Sequence, residues 1–165
     1  RKDLFSGLYS EEYLYGEGRK IIDQYTTSTI CMYKIINLEE INHKYCRELG
    51  NKVIEKTSEY IKQNISTQYV YVRYMGPKFV IAFSGVELNG VAEFINELKE
   101  KLENTIISLN ETNDEEEESK KMEVCPKLNF TLSTYYKGTG LEEVLKKQEE
   151  YLDNCDANES NITNI

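Results

Sequence analysis

No stretch of the 165-residue chain is apolar for long enough to span a bilayer, which takes about 20 residues in a helix, so no membrane contact by this segment is expected. A basic stripe is lacking too. Twenty Lys and Arg face 29 Asp and Glu, a formal net charge of -9, whereas a nucleic-acid partner asks for a basic surface. Histidine occurs once, as His43, and the four cysteines, Cys31, Cys46, Cys125 and Cys155, stand apart without CxxC spacing. These absences exclude the usual structural zinc patterns and read as reduced thiols of a cytoplasmic protein. The chain opens on Arg1 with no secretory pattern, and we expect a domain cut from a longer protein.

Apolar residues make up 39% of the chain, and thirteen Tyr and five Phe add side chains large enough to fill one core. Much of the acidity lies in the run Asp114 to Glu118, which reads as a solvated loop rather than an interaction tail. Residues 10–25 read as a helix, with Ser10 to cap it and Glu11 and Glu12 in its first turn. Thr29 to Ile36 is strand-like. Asn37 and Glu40 resemble a capping box for one helix carrying Ile41, Tyr45, Leu49, Val53, Thr57 and Ile61. Tyr69 to Tyr74 and Phe79 to Ser84 flank a Gly-Pro turn and predict a hairpin, with the tyrosines at 69, 71 and 74 read as cross-strand packing. Val91, Phe94, Ile95, Leu98 and Leu102 form the next amphipathic stripe. Leu128 to Tyr136 is a strand, and Thr139 with Glu142 predicts a capping box for a last helix. A hairpin within this order cannot belong to a purely parallel sheet. The expected class is α+β, a central mixed sheet of about five strands flanked by helices.

Four segments carry a family resemblance. Asp3-Leu4-Phe5-Ser6-Gly7-Leu8-Tyr9-Ser10 resembles the opening D-x-L-T-G-L-x-N of GGDEF domains, the diguanylate cyclase family. Tyr33 to Val53 is similar to D-I-D-x-F-K-x-I-N-D-x-x-G-H-x-x-G-D, anchored by Ile41-Asn42 and Gly50-Asn51. Arg73-Tyr74-Met75-Gly76-Pro77-Lys78-Phe79 stands where that family has R-Y-G-G-D-E-F at a hairpin tip. Phe130-Thr131-Leu132-Ser133 resembles its late strand. The matches span nearly the whole chain in the right order. The expected domain covers residues 1–155, with 110–126 as an acidic loop insertion and 156–165 as a polar, frayed tail.

The resemblance implies an enzyme that joins two GTP molecules, with carboxylates holding Mg²⁺. Here the departures matter. The first-strand Asp positions hold Lys34 and Ile36, and the two acidic hairpin positions hold Pro77 and Lys78. A protonated lysine cannot ligate a cation. The signature is therefore read as degenerate, with no catalytic residue, no metal ligand and no cofactor expected. The positions of the family's inhibitory R-x-x-D hold Ser66 and Tyr69, and its late-helix Lys falls near Asp156. Asn42 matches the guanine-contacting Asn, Asn51 replaces the guanine-contacting Asp, and Gly76 keeps one signature glycine. With Lys34 and Lys78 as a metal-free phosphate clamp, these five are the candidate nucleotide-binding residues. The plainer readings stand beside them: solvated lysines, an Asn bonded to its own helix, a surface His43, and a glycine that serves the turn.

The leading expectation is a non-catalytic regulatory domain of a bacterial signalling protein, acting by self-association or through a protein partner. A receptor for a guanine nucleotide without turnover is the alternative. An active cyclase, the third reading, needs the carboxylates that are missing.

Overall fold

The computed structural model describes residues 2–109 and 122–165. Its centre is a sheet of five strands in the order β2-β3-β1-β6-β7. The middle strand β1 (Thr27–Ile35) is antiparallel to β3 (Lys78–Ser84) on one side and to β6 (Leu128–Tyr136) on the other. β2 (Val70–Met75) closes a hairpin with β3, and β7 (Ile162–Asn164) adds parallel to β6. A two-stranded ribbon, β4 (Ile107–Ser108) with β5 (Glu123–Val124), lies apart from the sheet. Five strands, mixed directions and helices on the faces are the α+β class expected from the sequence.

Strand alternation sorts the core into two layers. Cys31, Tyr33, Ile35, Phe79, Ile81 and Phe130 point to one face, under α3 (Leu38–Lys44), α4 (Arg47–Asn64) and α5 (Leu88–Glu103). Ile30, Met32, Val70, Val72 and Val80 point to the other. That second face is covered by a broken helix, α1 (Glu11–Tyr13) passing through a π-helical turn at Leu14–Gly18 into α2 (Arg19–Ile22), and by α6 (Leu141–Asp153). Leu141, Leu145, Gln148 and Leu152 are the buried stripe of α6, and Val91, Ile95, Leu98 and Leu102 that of α5. Each fully buried Leu or Ile contributes roughly 1.5–3 kcal/mol, so these stripes hold the helices in place.

The single helix expected over Ile41 to Ile61 is two helices, α3 and α4, parted at Tyr45 and Cys46, where Cys46 is extended (φ -168°, ψ 161°). A spacing of four residues advances the stripe by about 40° per step in an ideal helix. Unbroken, the stripe would turn away from the sheet by Ile61, and the break resets its phase. None of the expected caps forms. Ser10 stands at the start of α1 without a side-chain bond to it. Asn37 instead donates from Nδ2 to the Cys125 carbonyl (2.9 Å) and accepts from the Lys127 amide (2.9 Å), tying the chain before β6 to the end of β1. Thr139 donates to the Tyr136 carbonyl, and α6 starts one residue later, after Gly140. Short polar side chains have several backbone partners in reach, and here the tertiary ones win.

The polar tail is not frayed at its end. Phe130 N–H donates to Asn161 O (2.8 Å), Ile165 N–H donates to Leu132 O (2.9 Å), and Ile162–Asn164 completes the sheet edge. An open edge of β6 offers unpaired backbone groups, and the β-branched Ile162 and Thr163 suit a strand. Of the acidic loop expected over 110–126, Glu123–Val124 is paired with β4, while Asp114 to Glu118 lies outside the described residues.

Candidate functional site

The β2–β3 hairpin tip is the Gly76-Pro77 turn, where Gly76 has φ +58°, a conformation that glycine enters without penalty. Behind the tip, Arg73 is held on three sides. Its Nη1 reaches both carboxylate oxygens of Asp3 (3.0 Å each), its Nε donates to the Gly76 carbonyl (3.0 Å), and its guanidinium lies over the Phe79 ring. Asp3 also accepts from the Ser6 amide and hydroxyl (2.8 Å each). The first and third matched segments are thus one unit, with Gly76 and Arg73 lining a cleft of about 360 Å³ together with Lys2, Asp3, Tyr74 and Met75. Burial pushes the Asp3 carboxyl up, but the two Ser6 bonds and the Arg73 charge outweigh it and hold it below its ordinary value of 3.8. Its contribution is therefore whole above pH 3.8 and lost as pH falls through the lowered value. Melting curves against pH should show this acid limb, and Asp3→Asn should flatten it while lowering stability by about 1 kcal/mol at neutral pH.

Lys34 and Lys78 face each other directly across β1 and β3, with Asn129 of β6 on the other side of Lys34. This row points toward α6. Lys78 is 6% exposed, and its Nζ donates to Glu149 (2.9 Å) and to both oxygens of Asp153 (2.9 and 3.1 Å). Burial alone would lower the Lys78 pKa. The hydrogen bonds it donates to Asp153 and Glu149, with their charges, reverse that and raise it. Glu11 of α1 completes the surroundings: burial, together with the charges of Glu149 and Glu12, raises its pKa, against the opposing pull of Lys78. The ammonium is consequently spent inside the fold, which leaves only half-buried Lys34 of the expected clamp. Next to it, neither amide atom of fully buried Asn129 has a partner among the described residues.

A divalent cation needs several oxygen ligands. The two strand ends offer two ammonium groups, a proline ring and Ile36, and nearby Glu149 and Asp153 already hold Lys78. These residues do not fit Mg²⁺. Among the described residues no group of three or more His, Cys, Asp or Glu is arranged to hold a metal ion.

Asn42 and Asn51 sit on the other side of the sheet, on α3 and α4. The Asn42 amide packs against the backbone of Gly50, so closely that a Cβ there would overlap Oδ1 outright. The α3–α4 break thereby brings Asn42 to the residue preceding Asn51. Asn42 Oδ1 is buried without a partner among the described residues, and Asn51 is half-buried. Gly50→Ala should displace the Asn42 amide and cost about 1–2 kcal/mol in denaturant unfolding, and the same change beside Asn42→Ala should cost far less. Additive losses would show that the two do not touch.

The five candidates thus fall into three places: Asn42 with Asn51, Lys34 with Lys78, and Gly76 at the hairpin cleft. His43 is exposed. Tyr71 donates to or accepts from Tyr33 (2.7 Å), Tyr74 pairs with Tyr15 (3.1 Å), and Tyr69 meets the Phe83 ring edge-on, all packing roles. Sequence reading missed Glu149 and Asp153. Their four-residue spacing on one helix face was the available signal, but nothing in it points to Lys78.

The family model for the diguanylate cyclase GGDEF domain matches residues 3–161. A search of curated proteins gave no significant match. Among solved structures, the GGDEF domain of FimX from Pseudomonas aeruginosa is 12% identical with a TM-score of 0.81, covering 99% of this chain and 98% of that one. The GGDEF domain of DgcB from Caulobacter crescentus, solved with c-di-GMP, is 14% identical with a TM-score of 0.82, covering 99% and 94%. The diguanylate cyclase SiaD of Pseudomonas aeruginosa, solved with its activator SiaC, is 10% identical with a TM-score of 0.80; the match covers 99% of this chain and 61% of SiaD. At such identities the likeness is one of fold. On the family model's match to nearly its whole length, this chain belongs to the GGDEF domain family.

Proposed function

We propose that this domain is a non-catalytic GGDEF module of a bacterial cytoplasmic signalling protein, working by association with itself or with a protein partner. One observation carries the reading: Lys78 stands where the family's signature is acidic and is closed off by Glu149 and Asp153. A cation covalently fixed in the fold takes the place that cyclase chemistry gives to a metal. Lys34, directly opposite, adds a second positive charge where a carboxylate is needed. Support for association comes from Leu4, Phe5 and Met75, exposed on the N-terminal turn and the hairpin that the Asp3–Arg73 pair joins. SiaD was solved with an activator protein, and contact of that general kind is the mode we propose. Incubation with GTP and Mg²⁺ or Mn²⁺ should yield no cyclic di-GMP by mass spectrometry. Turnover above a buffer blank that survives Lys78→Ala would overturn the reading.

A second reading has its own support in the meeting of Asn42 with Gly50-Asn51. A carboxylate accepts from both N1–H and N2–H of guanine, while an amide has a single accepting atom, so a guanine nucleotide held there binds weakly and without turnover. Calorimetry with GTP should then show weak binding, little changed by Mg²⁺ and abolished by Asn42→Ala. Preference for adenine nucleotides, or binding untouched by that substitution, removes this second reading and leaves the first.

A further inference from the structure

At the pole of the sheet opposite the hairpin, where β1 starts and β3 and β6 end, the helix-covered face changes character. Farther along β1 and β6 that face is apolar, at Cys31, Tyr33, Phe130 and Leu132. The same alternation then sets Thr29 opposite Thr134 and Thr27 opposite Tyr136. Four hydroxyl-bearing residues thus occupy positions whose continuation is core. The segment Val86 to Asn89, which leads into α5, walls them on one side, and the groove between has a volume of about 380 Å³. Thr27 lies seven residues along β1 from Lys34, roughly 20–25 Å away, and the groove shares no residue with the sites described above.

Most of the polar groups here are unspent. Thr29 donates through Oγ1 to the Val86 carbonyl (2.8 Å) and keeps its lone pairs to accept. Glu87 precedes α5 without capping it through its side chain. Glu87, Asn89 and Tyr136 are all exposed, and none of the three makes a side-chain hydrogen bond or ion pair among the described residues. Tyr136 stands 57% exposed across from a threonine, with no aromatic partner on the neighbouring strand. No Lys, Arg or His lines the groove, and Glu87 is the single charged residue in it.

This set selects a class of ligand. A phosphate or carboxylate would meet Glu87 and no cation. A wholly apolar molecule would strip water from the threonines and return no hydrogen bond. A molecule with neighbouring hydroxyls and one C–H face is satisfied throughout. The hydroxyls of Thr and Tyr both donate and accept, the Glu87 carboxylate and the Asn89 amide each offer two polar atoms to adjacent hydroxyls, and the Tyr136 ring offers a flat apolar surface. We infer that this groove binds a neutral sugar of one or two hexose rings, with Tyr136 as the platform and Glu87, Asn89 and the threonines as partners for its hydroxyls. Binding is weak, on the order of millimolar, because each hydroxyl exchanges a bond to water for a bond to protein at small net gain. A bound sugar bridges the ends of β1 and β6 to the start of α5.

The test is an NMR titration of the whole domain with glucose, maltose, glycerol and glucose 6-phosphate. Glucose and maltose should shift amides at residues 27–29, 86–89 and 134–136, and leave Lys34, Asn42 and Asn51 unmoved. Glycerol at the same concentration should not, since it has no ring to lay on Tyr136. Tyr136→Ala should weaken binding about tenfold and Asn89→Ala about threefold, with melting temperatures little changed because both side chains are exposed. Glucose 6-phosphate should bind several-fold more weakly than glucose, and Glu87→Gln should narrow that gap. Absence of shifts in this groove at tens of millimolar glucose or maltose overturns the inference. So does binding that Tyr136→Ala and Asn89→Ala both leave intact, a response to glycerol equal to that to glucose, or tighter binding of the phosphorylated sugar.

Discussion

Lys78→Glu should cost the domain about 2–4 kcal/mol, seen as a lowered midpoint in urea. The side chain of Lys78 is 8% exposed and pairs with two carboxylates, and breaking a buried pair from one side leaves the other side uncompensated. The substitution goes further, setting a third carboxylate beside Glu149 and Asp153, with Glu11 close by. The full penalty of a buried pair is not expected, because the Asp153 side chain is half exposed and can turn to water. A sign can be assigned to metal as well. Gathered carboxylate oxygens suit a divalent cation, so Mg²⁺ or Ca²⁺ should restore part of the lost stability in Lys78→Glu and do nothing comparable for the native chain. Equal metal response in both proteins would show that Lys78 does not hold the place we assign to it. Cyclase activity should not return, since Lys34 still stands opposite.

Tyr33→Ala should be more damaging still, at about 3–5 kcal/mol, because it empties a site at the centre of the sheet. Tyr33 is fully buried, stacks on Phe79 with ring centres 5.0 Å apart, and meets Phe130 at 5.4 Å. Its hydroxyl pairs with that of Tyr71 at 2.7 Å. Burial, with the neighbouring Tyr71, pushes the Tyr33 hydroxyl far above its ordinary range. Tyr33→Phe separates the two contributions. It keeps the ring and should cost about 1 kcal/mol, the loss of one hydrogen bond from the Tyr71 hydroxyl, which Ser58 also contacts. Since Tyr33 precedes Lys34 and faces Phe79 across the strands, the alanine variant should also loosen the hairpin, detected as faster amide exchange at Phe79.

Much of the fold was legible because it rests on local periodicity. The alternation in Thr29 to Ile36 and Leu128 to Tyr136 and the stripes of Val91 to Leu102 and Leu141 to Leu152 each specify an element and its buried side. The Gly-Pro turn fixed the hairpin. Less legible was whatever depends on a partner distant in sequence. Nothing near Asn37 indicates that its amide will bind Cys125 and Lys127 rather than cap a helix. Nothing within Asn161 to Ile165 indicates an open edge at β6 waiting for it. The break between α3 and α4 could be argued from the drift of the stripe, but its placement at Cys46 depends on how Ile41 and Leu49 both reach the sheet.

By itself the sequence determined the family and the mixed five-stranded architecture, and it is where the reading of Lys34, Pro77 and Lys78 as standing at acidic signature positions originates, because residue identity and spacing are properties of the chain alone. Only the tertiary structure decided what those replacements do. Lys78 reads as a free cation until α6 delivers Glu149 and Asp153 from 71 and 75 residues away. Arg73 reads as part of a hairpin motif until Asp3, 70 residues earlier, takes its guanidinium. Charge interaction is set by distance in space, with strengths that fall from several kcal/mol in a partly buried contact to almost nothing beyond about 10 Å of salt water. Sequence order carries no such distance, and packing of the two sheet faces supplies it.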